Sequence, residues 1–135
     1  MLAGSLLVLA VPRGTDSRAL LARLLSPEAL AWAGSQGAES AFRDLPLLAL
    51  VSDDVRLADD THLLWGIFTR FDAARDILFR ESRLVGACPV HRGTLGIDAT
   101  WKPGYPEPVH SAPETIARVD GRWAEYAIDT PRPDR

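Results

Sequence analysis

The 135-residue chain is poor in the residues that make several kinds of function possible. It has one cysteine, Cys88, which excludes an internal disulfide and fits a reducing compartment. It has one lysine, Lys102, and a formal net charge of -3, so it carries no basic cluster with which to grip a phosphate backbone; no nucleic acid is expected as a partner. No apolar run approaches the roughly 20 residues that cross a bilayer, and the opening Met1 to Val11 has no basic residue ahead of its apolar part, so it reads as neither a transmembrane segment nor a signal sequence. A cytoplasmic protein is expected. No internal repeat is visible.

What remains is ordinary globular material, 47% hydrophobic and 24% charged, of one domain's length. Leu6 to Val11 is apolar at every position, as a strand covered on both faces is. A helix follows from about Ser17 to Ala33, capped by Thr15 or Asp16 and kinked or restarted at Ser26-Pro27. Gly34 to Ser40 reads as a loop, Leu47 to Val51 as a second buried strand, and the run through Leu63, Leu64, Ile67, Phe68 and Phe71 as a helix capped by Asp59 or Asp60. Ile77 to Phe79 and Leu95 to Thr100 are further strands, with a loop over Ser82 to Gly93. Strand and helix alternate, which predicts an α/β fold: a three-layer α/β/α sandwich with a mainly parallel or mixed sheet, a single domain plus a C-terminal helix. That helix, about 112–128, is expected to start at a Ser111/Glu114 capping box with Pro113 in its first turn, and to carry Ile116, Val119, Trp123 and Tyr126 on one face. Residues 130–135 read as a disordered tail.

The chemical candidates each have a plainer explanation. Cys88 and His91 have a zinc-like spacing, with Asp98 or His110 as completing ligands, but four good ligands are wanting, so no metal is expected. The same pair lacks anything to orient the histidine or hold an oxyanion, so no nucleophilic catalysis is expected there. Asp53, Asp54, Asp59 and Asp60 lack the alternation of a calcium loop and are explained as strand-end and helix-cap residues. Arg70, Asp72, Arg75 and Asp76 form an ion-pair cluster at a helix exit. Gly93, Gly96 and Gly104 make no phosphate-binding pattern, and Trp101 packs or lines a pocket mouth.

Asp53-Asp54-Val55, Trp65, Thr69-Arg70, Asp72, Arg75-Asp76 and Gly96-Ile97-Asp98-Ala99-Thr100, in this order and spacing, resemble the C-terminal domain of the UbiD family of decarboxylases. The resemblance covers roughly Leu6 to Ile128, within a domain of 1–129. Members use prenylated FMN to remove carboxylate from aromatic or unsaturated acids, including precursors of quinones. The resemblance implies that the flavin contacts and the catalytic residues lie in a larger part that is absent here, so this chain holds no catalytic residue and binds no cofactor alone. It implies a terminal helix that mediates oligomerisation, through Ile116, Val119, Trp123 and Tyr126, and loops that close one side of a cleft, with Thr94, Asp98, Thr100 and Trp101 at its rim. It departs from the family at Thr94, where a lysine is common, and at Ala73, where proline is common. The expected partners are a second copy, a larger UbiD-like flavin-binding chain, or both. The alternative is a stand-alone binding or scaffold module with the same fold and no chemistry.

Overall fold

A computed structural model describes residues 5–105, 109 and 111–126. The chain divides into two compact units, Met1–Tyr105 and Pro106–Arg135. The first holds strands β1 (Leu6–Val11), β2 (Leu47–Ser52), β3 (Ile77–Val85) and β4 (Cys88–Ala99), and helices α1 (Ser17–Leu24), α2 (Pro27–Ser35), α3 (Glu39–Arg43) and α4 (Asp60–Phe68). The second holds α5 (Pro113–Gly121) and a 3-10 turn, Trp123–Tyr126.

Side-chain alternation along the strands builds the three layers. The sheet runs β1-β2-β4-β3, parallel except for β3, so the expected α/β fold with a mixed sheet is the one observed. Ala49 and Val51 of β2 face one way and pack with Ile97, Ala99, Val55 and Ile67 of α4. Leu48 and Leu50 face the other and pack with Leu21, Leu25 and Leu45. Because β2 is central and covered on both sides, Leu47 to Val51 are aliphatic without a break, whereas a strand with one wet face would alternate with polar residues.

Local chemistry sets the helix boundaries. Asp16 accepts the Ala19 N-H at 3.0 Å and starts α1. Of the two outcomes expected at Ser26-Pro27, a kink or a restart, the chain takes the restart: Ser26 accepts the Ala29 N-H, Pro27 takes the first position, and α2 begins. A short helix, α3, begins inside what reads as a loop. The terminal helix begins one residue later than its capping box predicts. Proline fixes its own φ and holds the preceding residue extended, so Ala112 rather than Ser111 is the N-cap and no side chain caps the helix. It is also shorter than 112–128, ending at Gly121, where the chain loosens before the 3-10 turn. Residues 130–135 lie outside the described ones.

The Ser82–Gly93 loop is instead the far end of a hairpin, turning between Val85 and Cys88 with Gly86 at φ 63°. Helix α1 packs closely over β4 at Gly96, where an added Cβ would stand 2.8 Å from Leu25 Cδ1 and 2.9 Å from Leu21 Cδ1. Since Leu21 is fully buried and has nowhere to move, Gly96→Ala is expected to destabilise the fold by about 1–3 kcal/mol, read as a lower urea midpoint.

Candidate functional site

The three parallel strands end together, at Val11, Ser52 and Ala99, and polar residues converge just beyond them. Open α/β sheets bind ligands at the carboxyl ends of their strands, so this is the place to look. Strand β4 delivers Asp98, Thr100, Trp101 and Lys102; the β2 exit delivers Ser52 and Asp54; the start of α1 delivers Ser17; the segment after α4 delivers Arg70 and Asp76.

At the centre is Asp98, which is 4% exposed. Ser17 Oγ donates to its Oδ2 at 2.7 Å, and its Oδ1 accepts the Thr100 N-H at 3.1 Å. Thr100 Oγ1 lies 2.7 Å from Asp98 Oδ1 and 3.0 Å from Ser17 Oγ, and its single proton serves one of them at a time. Lys102 Nζ stands 3.5 Å from Asp98 Oδ1 and 3.5 Å from Asp76 Oδ2, and donates to the Asp98 carbonyl at 2.8 Å. It also reaches the Arg70 and Thr100 carbonyls at 3.3 Å each, so the chain's one lysine fastens two backbone segments together. Asp76 Oδ2 accepts the Asp72 N-H at 2.8 Å.

The second group is nearer the surface. Arg70, 4% exposed, forks onto Asp54 with two bonds of 2.8 and 2.7 Å. Its guanidinium also lies 5.1 Å from the centre of the Trp65 ring. Arg13 reaches Asp54 Oδ2 at 3.2 Å and covers Trp101 at 5.0 Å. The Trp101 backbone N-H donates to Ser52 Oγ at 2.7 Å, which ties the ends of β2 and β4 together. Burial pushes the Asp98 carboxyl up, but hydrogen bonds from Thr100 and Ser17 and the Lys102 ammonium outweigh it, and the net direction is down. The forked bonds from Arg70 act first on Asp54; burial opposes them, Arg13 assists, and the group is lowered to about 2. Both carboxylates are therefore charged at neutral pH, and neither is poised to move a proton there.

Comparisons with known proteins bear on the fold. No family model matches the chain. An uncharacterized protein of Aeropyrum pernix is 31% identical over 96 residues, 62% of this chain and 20% of that protein. The closed form of vanillic acid decarboxylase from Sedimentibacter hydroxybenzoicus matches with a TM-score of 0.50 and 17% identity, over 90% of this chain and 25% of that one. The FMN complex of the UbiD-class enzyme HmfF from Pelotomaculum thermopropionicum gives 0.46 and 16%, over 83% and 24%. At such identities the likeness is one of fold. This chain spans a fifth to a quarter of the length of the proteins it matches.

The expected rim residues are not all in one place. Asp98, Thr100 and Trp101 lie together at the carboxyl end. Thr94 is fully buried in the middle of β4, beside the Leu47–Leu95 pairing where the contact with β2 begins and away from the carboxyl end, and donates to the Leu45 carbonyl at 2.7 Å. In the second unit, Ile116 and Val119 lie on α5, and Trp123 and Tyr126 on the turn, with ring centres 6.2 Å apart at 82°. Cys88 is exposed at the hairpin turn, while His91 stacks on Phe79 at 4.1 Å and shares a 2.9 Å hydrogen bond with Ser82. His110 lies outside the described residues. Among the described residues no three His, Cys, Asp or Glu side chains group as metal ligands, and no helix is long and apolar enough to cross a membrane. Sequence reading overlooked Ser17, Arg13 and Lys102 as members of the site. Only the last carried a signal, as the sole lysine in a chain whose other basic residues are arginine.

Proposed function

We propose that this chain is the C-terminal, oligomerising and cleft-closing part of a UbiD-like decarboxylase of aromatic acids that uses prenylated FMN and serves quinone biosynthesis in the cytoplasm. The observation that carries this reading is the likeness in fold over 90% of the chain to a quarter of a vanillic acid decarboxylase chain. The ordered motifs from Asp53 to Thr100 agree with it.

The described residues do not fit the flavin itself. A phosphate needs uncommitted cations, and here Arg13, Arg70, Arg75 and Lys102 each face a carboxylate of this chain. Among the described residues at this end of the sheet, Asp54 and Asp98 are held as carboxylates and neither is a candidate acid. In this reading the cofactor and the chemistry belong to a larger partner chain, and this chain is at most a subunit of the decarboxylase. Its part is to present a preset wall: Asp98, Thr100 and Lys102 hold the strand ends rigid, Arg13 covers the half-buried Trp101 beside them, and Ile116, Val119, Trp123 and Tyr126 form the contact to the partner.

A tagged pull-down from native cells, with mass identification and a flavin absorbance scan, tests this. A larger flavin-bearing chain is expected to co-elute in fixed ratio. Replacing Trp123 and Tyr126 together by alanine should cut its recovery at least about tenfold, as loss of aromatic anchors does. Elution alone and colourless would leave a scaffold module with the fold and no decarboxylase.

A further inference from the structure

The two edges of the sheet are treated differently. Strand β3 is guarded: Arg80, Glu81 and Arg83 lie along it, and its register shifts between Phe79 and Glu81, both of which discourage another strand from joining. Strand β1 has none of these devices. Leu6 to Val11 contains no charge, proline or glycine, pairs with β2 without a bulge, and among the described residues pairs with β2 alone.

The hydrogen bonds show which of its groups are open. Leu47 donates to the Ser5 carbonyl at 3.2 Å and Asp53 to the Val11 carbonyl at 3.0 Å, so the odd-numbered residues point their backbone groups toward β2. Leu6, Val8 and Ala10 accordingly turn their N-H and C=O groups to the outer edge. Beside the start of this edge lies an open, mostly apolar hollow of about 490 Å³ between β1 and α3, lined by Leu6, Leu7, Ala41, Phe42 and Leu45 among others.

We propose that the β1 edge joins the same edge of a second copy, antiparallel about a two-fold axis at Val8, and merges two four-stranded sheets into one of eight. In this register Val8 exchanges both backbone bonds with Val8 of the second copy, and Leu6 does so with Ala10. Leu9 of the second copy then stands opposite Leu7, at the hollow. A second copy fits because the strand is uncharged along its whole length, so self-pairing sets no like charges against each other, and a two-fold contact closes on itself. This surface is distinct from the terminal-helix contact and does not depend on the decarboxylase reading.

The test uses the full chain, with sedimentation over a concentration series and backbone amide exchange. The expected result is a dimer that grows with concentration, in which the Leu6, Val8 and Ala10 amides slow at least about tenfold and speed up again on dilution. Val8→Pro should weaken dimerisation at least about a hundredfold with folding retained, because it removes an outward N-H that β2 does not use. Ala10→Lys, at an exposed position, should weaken it without touching the core. A chain that stays monomeric, or one that dimerises while these three amides exchange freely, overturns the proposal. So does protection that appears only when a larger chain is bound. Trp123 and Tyr126 variants that abolish co-elution leave these outcomes unchanged, so failure of one reading is separable from failure of the other.

Discussion

Arg70→Met is expected to lower the free energy of unfolding by about 3 kcal/mol in urea titration at neutral pH. The guanidinium is almost wholly buried, forks onto Asp54, and lies over Trp65. Methionine fills much of the space but leaves the Asp54 carboxylate with only Arg13, so most of the cost is a poorly compensated charge. Breaking a buried pair from one side costs roughly 3–5 kcal/mol, and water reaching Asp54, whose side chain is 28% exposed, puts this case at the low end. Double replacement with Asp54→Leu should recover part of the loss, since two apolar groups leave no charge behind.

The same pair sets an acid limit. In the folded chain Asp54 titrates near 2, against an ordinary 3.8. A lowered folded value means that the stabilisation is fully present above 3.8 and disappears as pH falls through about 2. The gap corresponds to on the order of 2 kcal/mol, reduced to about 1 by solvent at the exposed part of the carboxylate. In Arg70→Met this component of acid unfolding should be largely missing. An unchanged slope of stability between pH 4 and 2 would show that the pair contributes little.

How far the sequence revealed this site depended on whether each signal was local. Capping residues Asp16 and Asp59 act within three residues and are readable, as is the break at Ser26-Pro27 though not its cap. The aliphatic runs of β1 and β2 named themselves as strands; β2 is buried as expected, whereas β1, at the sheet edge, is half-buried with only Val11 fully inside. The hairpin end of β3 and β4 did not, because both its faces are wet and Arg80 to Arg83 show no alternation of apolar and polar residues. The site itself is assembled at long range. Asp54 and Arg70 were both noticed, but as an acidic cap and a member of a local ion-pair group; that they bind each other depends on how α4 packs, 16 residues apart in sequence. Ser17 looks like any residue in the first turn of a helix until β4, 81 residues later, brings Asp98 beneath it.

Asp98 gives the sharper contrast between two substitutions. Asp98→Ala is expected to cost about 3–4 kcal/mol, because Ser17 and Thr100 lose their acceptor while buried and Lys102 loses one of its two carboxylates. Asp98→Asn keeps the shape. Its carbonyl oxygen can still accept the Thr100 N-H, and its amide can donate to Ser17 Oγ once that hydroxyl turns, so about half the loss or less is expected. The difference between the two isolates the hydrogen-bond scaffold from the charge. Because Lys102 also binds the Asp98, Thr100 and Arg70 carbonyls, the asparagine variant should keep the strand ends in place, with the Trp101 amide still slow to exchange through its bond to Ser52. If Asp98→Asn proves as damaging as Asp98→Ala, the carboxylate's charge, through Lys102, is what fixes this end of the sheet.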